Sequence, residues 1–201
     1  AMAAEAGMRL IGPNCLGVIN TEPDVQLNAS FARAMPASGQ IAFLSQSGAL
    51  CTAVLDYAAG KNIGFSKFIS LGNKADIGEV ELLGYLADDP QTSVILMYLE
   101  EITRGRELMK AARQITGNRK KHKPILAIKA GTSAEGARAI TSHTGALMGQ
   151  DTISHVLFER AGVQYDDVER MVRDRGIEPT LEELYDAGVY FTFDEFKGRK
   201  P

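Results

Sequence analysis

The chain has 201 residues, 45% of them hydrophobic, and a formal net charge of -3. That suffices for one sizeable core with a short appendage, and a mildly acidic balance with scattered basic residues speaks against a nucleic-acid-binding protein. Cys15 and Cys51 make no disulfide framework, and no apolar run approaches the roughly 20 residues of a membrane span, so a cytoplasmic protein with reduced thiols is expected.

The opening AMAAEAGMRLIG (1–12) is alanine-rich and lacks the basic start and long apolar run of a signal peptide; it reads as a chain entered mid-domain, a fragment. QIAFLS (40–45) has the length of a strand. Leu50, Cys51, Val54, Leu55 and Ala58 then share one face of a helix near 48–60. FSKFISLG (65–72) is the next strand. Val80, Leu83 and Leu86 mark a helix near 77–87, stopped by Asp88-Asp89-Pro90. SVILMYLE (93–100) and KPILAIKA (123–130) are nearly continuous in apolar character, as strands covered on both faces are. Between them Leu108, Ala112 and Ile115 share a helix near 104–116, ended by Gly117-Asn118. The basic run 119–123 reads as a solvated loop before a buried strand. A helix near 151–161 carries Ile153, Val156, Leu157 and Ala161, and a short strand follows at 163–165.

This alternation of strand and helix predicts an α/β fold: a flavodoxin-like, doubly wound parallel sheet with helices on both faces. Ligands of such sheets sit beyond the carboxyl ends of the strands. Four loops lie there: 45–48, 72–75, 100–101 and 131–149.

In SQSGAL (45–50), Ser45, Ser47 and Gly48 stand where a strand enters a helix. Free N–H groups and hydroxyls there suit an anion, phosphate above all; an ordinary Ser N-cap with a glycine turn is an equal reading. The Gly72-Asn73-Lys74 loop has the composition of a plain turn. Glu100 and Glu101 end an apolar strand, where a carboxylate needs water or a partner, and a partner imidazole would suit one of them. The loop 131–149 is long for a compact chain, rich in glycine, and holds His143. No set of His, Cys or carboxylate ligands surrounds His143 in sequence, so no metal site is expected, and no GxSxG elbow supports a serine triad. A histidine among hydroxyls, a phosphate-suited helix start and a distant carboxylate fit an imidazole that carries a phosphoryl group. His122 and His155 read as solvated surface residues.

GPNCLGVIN (12–20), SQSGAL (45–50), SLGNKADI (70–77), YLEEI (98–102), KPILAIKAGTS (123–133) and SHTGALMGQD (142–151) together resemble NDP-forming acyl-CoA synthetases. The resemblance is to the phosphohistidine domain, akin to the second domain of the succinyl-CoA synthetase α-subunit. It implies the reversible reaction of acyl-CoA, phosphate and ADP to acid, CoA and ATP. It implies that His143 of SHTG carries the phosphoryl group and that Glu100 hydrogen-bonds that histidine. Ser45, Ser47, Gly48 and Gly145 would hold phosphate. Asn14 and Cys15 would lie where the CoA thiol arrives. CoA, phosphate and ADP or ATP would be substrates, with no tightly bound cofactor. CoA-binding and ATP-grasp domains, in the same chain or a partner subunit, would be needed to complete the cycle.

The second reading is a non-catalytic ligase-like module, as in acyl-CoA-linked protein acetyltransferases; His143, Ser47 and Glu100 together argue against it. The expected division is a flavodoxin-fold domain over 1–165 and an extension over 166–201. In the extension Val168, Met171 and Val172 suggest one short helix, and Pro179-Thr180 begins another that Gly188 ends. Residues 180–201 also resemble a segment of some adenylate-forming enzymes. Their aromatics, Tyr185, Tyr190, Phe191, Phe193 and Phe196, are candidates for docking on the core or for a homo-oligomer contact.

Overall fold

The computed structural model describes residues 2–118, 121–130 and 164–165. His143, Gly145, the predicted helix near 151–161 and the 166–201 extension lie outside the described residues. The elements in chain order are α1 (Met2–Glu5), β1 (Gly17–Asn20), β2 (Leu27–Ser30), β3 (Ser38–Ser45), α2 (Gly48–Lys61), β4 (Phe65–Ser70), α3 (Glu79–Asp88), β5 (Val94–Leu99), α4 (Gly105–Thr116), β6 (Ile125–Lys129) and β7 (Gln164–Tyr165).

They build a seven-stranded sheet in the order β2-β1-β4-β3-β5-β6-β7. The last five of these positions are parallel neighbours. Counted from β3, their order is 2-1-3-4-5, that of the flavodoxin-like doubly wound sheet. Alternating side chains separate the two faces. On one, Ala42, Leu44, Ile69, Ile95, Met97, Ile125 and Ala127 pack under α3 and α4, which contribute Leu82, Leu83, Leu86, Leu108, Ala112 and Ile115. On the other, Phe43, Phe65 and Phe68 pack under α2 through Cys51 and Ala58. The Phe65 and Phe68 rings meet nearly perpendicular, with centroids 5.0 Å apart, a favoured aromatic geometry.

The sheet is mixed where an all-parallel one was expected. β1 and β2 form an antiparallel hairpin, and β1 pairs antiparallel with the edge of β4 (Val18 opposite Ile69, Asn20 opposite Lys67). Neither strand had a sequence signal. Each is four residues long, and all but the last residue of β2 is exposed. Predicted bounds elsewhere moved by at most two residues, as helix and strand ends do.

The amino-terminal edge of the sheet is closed by a buried polar cluster. The Lys67 ammonium bonds Glu22 and, at 3.1 Å, Asp89. Asp89 also accepts from the Thr92 hydroxyl at 2.6 Å. Lys123 donates to the carbonyls of Leu86 and Asp89, both at 2.6 Å. Burial opposes ionisation of Asp89, but the bonds from Thr92 and Lys67 outweigh it and hold its carboxyl below the usual range. Among the described residues no helix is long and apolar enough to cross a membrane.

Candidate functional site

The parallel ladder fixes which loops meet. Ser45 ends β3 opposite Ser70 of β4 on one side and Tyr98 of β5 on the other. β3 and β5 flank the position where the strand order reverses, and crevices that bind ligands open there. The loops after β3 and β5 therefore stand side by side at the carboxyl edge.

Ser45 is fully buried. Its hydroxyl accepts from the Ser47 N–H at 3.1 Å and donates to the Ser47 carbonyl at 3.0 Å, which folds the 45–47 turn back on itself. Ser47 is the N-cap of α2: its backbone is extended (φ -92, ψ 117) and its hydroxyl accepts from the Leu50 N–H at 3.2 Å. The capping reading of this serine is correct. It satisfies one first-turn donor and leaves the positive end of the α2 dipole at the edge. Gly48 begins the helix, and a Cβ there would stand 3.9 Å from the Leu16 nitrogen, so the GPNC segment lies against this helix start.

That segment is pinned from below. The Leu16 N–H donates to the Ser70 hydroxyl at 2.9 Å. Asn73 and Ala75 donate their N–H groups to the carbonyls of Pro13 and Gly12, both at 2.9 Å. The Asn14 side-chain amide reaches the Asn73 side-chain oxygen at 3.3 Å. Asn14 and Gly72 both adopt left-handed backbone, φ 56 and φ 55. Asn14 is exposed and Cys15 half-buried, so both candidate CoA-facing residues stand at this edge. Cys51 is different: burial pushes its thiol up to about 11, which leaves it a core side chain.

Glu100 and Glu101 follow β5, both half-buried. Burial, with the Glu100 carboxylate adding to it, pushes the neighbouring Tyr98 phenol up to about 12. The Lys74 ammonium donates to the Glu101 carbonyl at 2.7 Å and pairs with buried Glu79 at 3.1 Å. Lys74, a turn residue by composition, is thus committed to a structural ion pair. Sequence reasoning passed over Gln46. Its N–H donates to the Tyr98 carbonyl at 3.1 Å, and its side-chain oxygen accepts from the N–H groups of Glu100 at 2.8 Å and Glu101 at 3.0 Å. Only its place between Ser45 and Ser47 in the loop could have drawn attention to it.

The structure therefore brings Asn14, Cys15, Ser45, Ser47, Gly48 and Glu100 to one edge; His143 and Gly145 lie outside the described residues. Among the described residues no group of three His, Cys, Asp or Glu side chains could hold a metal ion.

Comparison with known proteins adds a family. The succinyl-CoA ligase like flavodoxin domain matches residues 38–173. A 4-hydroxybutyrate--CoA ligase [ADP-forming] of Nitrosopumilus maritimus is 44% identical over 191 residues, covering 95% of this chain and 25% of that protein. An acetate--CoA ligase [ADP-forming] I of Archaeoglobus fulgidus is 46% identical over 162 residues, covering 81% of this chain and 23% of that protein. Among solved structures, a dinucleotide forming acetyl-coenzyme A synthetase 1 of Ca. Korarchaeum cryptofilum, in complex with phosphate and ADP, is similar with a TM-score of 0.75 and 42% identity, over 83% of this chain and 35% of that one. The chain spans about a quarter of the length of the two ligases.

Proposed function

Because the chain belongs to the succinyl-CoA ligase-like flavodoxin domain family, we propose that it is the phosphoryl-carrying domain of an ADP-forming acyl-CoA ligase. The observation that carries this reading is the convergence at the switch point of the 45–48 turn, the GPNC turn and Glu100. Phosphate displaces CoA from the acyl thioester, giving an acyl phosphate and free thiol. The neutral His143 ring then attacks phosphorus; the P–O bond to the acyl group breaks and the carboxylate leaves. Glu100 accepts a hydrogen bond from the N–H of the other ring nitrogen, which fixes the tautomer, and its charge stabilises the cationic adduct. The helix start at Ser47-Gly48, with Gly145, holds the phosphate oxygens; Ser45, expected among these ligands, is buried with its hydroxyl committed to the Ser47 backbone and shapes the turn instead. ADP finally takes the phosphoryl group as ATP, and the imidazole returns to neutral.

Asn14 and Cys15 face the arriving CoA thiol, with packing as the role of the Cys15 side chain. CoA, phosphate and ADP are substrates rather than resident cofactors. CoA-binding and ATP-grasp units, as domains or subunits, complete the cycle. Residues 1–165 form the phosphoryl-carrying unit, and 166–201 its extension. Incubation of the chain with phosphorus-labelled acyl phosphate, or with an ATP-grasp partner and ATP, tests this. Acid-labile, base-stable label that His143→Ala abolishes is expected; no label under either condition overturns the reading.

A further inference from the structure

We propose that Gln46 is a positioning residue: its side-chain amide ends β5 and sets the direction in which Glu100 presents its carboxylate. In an extended strand successive N–H groups point to opposite sides. Those of Glu100 and Glu101 instead converge on one oxygen, the Gln46 side-chain carbonyl, at 2.8 and 3.0 Å. That convergence is possible only where the chain turns, so the bond pair stops the strand after Leu99 and fixes the dihedral angles of Glu100. The anchor itself is rigid. The Gln46 N–H sits on the Tyr98 carbonyl at 3.1 Å, one rung before the strand end, and the preceding Ser45 is fully buried.

The far side of the turn is held as well. The carbonyl of Glu101 accepts from Lys74 at 2.7 Å, and Lys74 is fixed in place by Glu79. The backbone around Glu100 is therefore clamped by side chains from two other loops of the same edge. An amide that accepts two bonds without adding charge suits a neighbour that must stay ionised; a carboxylate in its place would raise the pKa of Glu100.

The inference rests on the phosphoryl-carrying reading and is tested so that the two can fail separately. In the full chain, Gln46→Leu removes the acceptor at similar size, and Gln46→Glu keeps acceptor oxygens but adds charge. We expect Gln46→Leu to label His143 at least about tenfold more slowly while retaining wild-type circular dichroism. Gln46→Glu is expected to recover most of the rate at alkaline pH, with its acid limb moved to higher pH. Labelling of Gln46→Leu at the wild-type rate, or no recovery by Gln46→Glu, overturns the proposal. An independent arm titrates the Glu100 carboxyl by carbon NMR, assigned with Glu100→Gln. A midpoint that moves in Gln46→Leu supports positioning. Identical midpoints and chemical shifts in wild type and Gln46→Leu overturn it, whether or not the chain takes up label. No label in the wild type with a moved midpoint overturns the phosphoryl-carrying reading and leaves Gln46 as the residue that orients Glu100.

Discussion

Gly72 is where two turns of the carboxyl edge become one structure. A Cβ at this position would stand 2.2 Å from the Pro13 carbonyl oxygen and 2.6 Å from that of Asn14, and the backbone is left-handed. Gly72→Ala therefore meets two costs: roughly 1 kcal/mol for an L-residue at positive φ, and displacement of the GPNC turn that Asn73 and Ala75 hold. The expected loss is about 2 kcal/mol or more in urea unfolding, with the Asn14 and Cys15 amide resonances shifted. A change within about 0.5 kcal/mol would mean that the two turns are not interlocked. The sequence contains GPNC and GNKA as separate turns, each readable from its glycine, proline and asparagine. Their contact was not readable, because it is made by backbone groups (the Asn73 N–H on the Pro13 carbonyl, 60 residues apart in the chain). Gln46 escaped for a related reason: its acceptors and donors are peptide groups of another strand end, and peptide groups leave no mark in side-chain chemistry.

The elements follow a simpler logic. β3, β4, β5 and β6 lie inside the sheet, and the nearly continuous apolar runs of β5 and β6 announce it; α4 shows Leu108, Ala112 and Ile115 at helical spacing and buries those three. β4 is fully buried along its whole length, yet it contains Lys67. Sequence alone does not say how a strand tolerates an ammonium group. The structure answers with Glu22, Asp89 and the Thr92 hydroxyl. The two carboxylates are not equivalent, because the Asp89 side chain is 2% exposed and that of Glu22 is 26% exposed. Asp89→Ala strips a buried cation of its buried partner and is expected to cost about 3 kcal/mol. Glu22→Ala leaves a position that water can reach and is expected to cost about 1 kcal/mol or less. The sign with pH follows from Asp89, whose carboxyl is held below its usual range. Its contribution is complete above the unfolded-state pKa of about 3.9 and is lost as pH falls through the lower folded-state value. Denaturation curves of the wild type and Asp89→Ala should thus approach one another below about pH 4. Equal costs for the two substitutions at pH 7 would refute the ranking.

At the scale of the whole molecule, the strand order predicts how the chain comes apart. β3 and β5 have neighbours on both sides, and Ala42, Leu44 and Ile95 are fully buried. β2 is an edge strand with Leu27 46% exposed, followed by Phe31 at 87%. Local opening draws on such sparsely packed segments first. The GPNC turn and Leu16 are chain-adjacent to this hairpin, and the Leu16 carbonyl accepts from the Phe31 N–H at 3.0 Å, but their remaining inter-segment backbone bonds run to Ser70, Asn73 and Ala75 at and beyond the end of β4. Native-state hydrogen exchange is therefore expected in three tiers. Amides of 27–30 exchange through small openings. Those of Leu16, Asn73 and Ala75 exchange together. Those of Ala42, Leu44, Ile95 and Met97 exchange only with global unfolding, at least about 2 kcal/mol above the first tier. The consequence for the site is a division of labour: the 45–48 turn and Glu100 sit on the most stable strands, while the turn proposed to face CoA belongs to a unit that can open without them. If the amides of 27–30 were protected as strongly as those of β3, the hairpin would be part of the global unit and this separation would not exist.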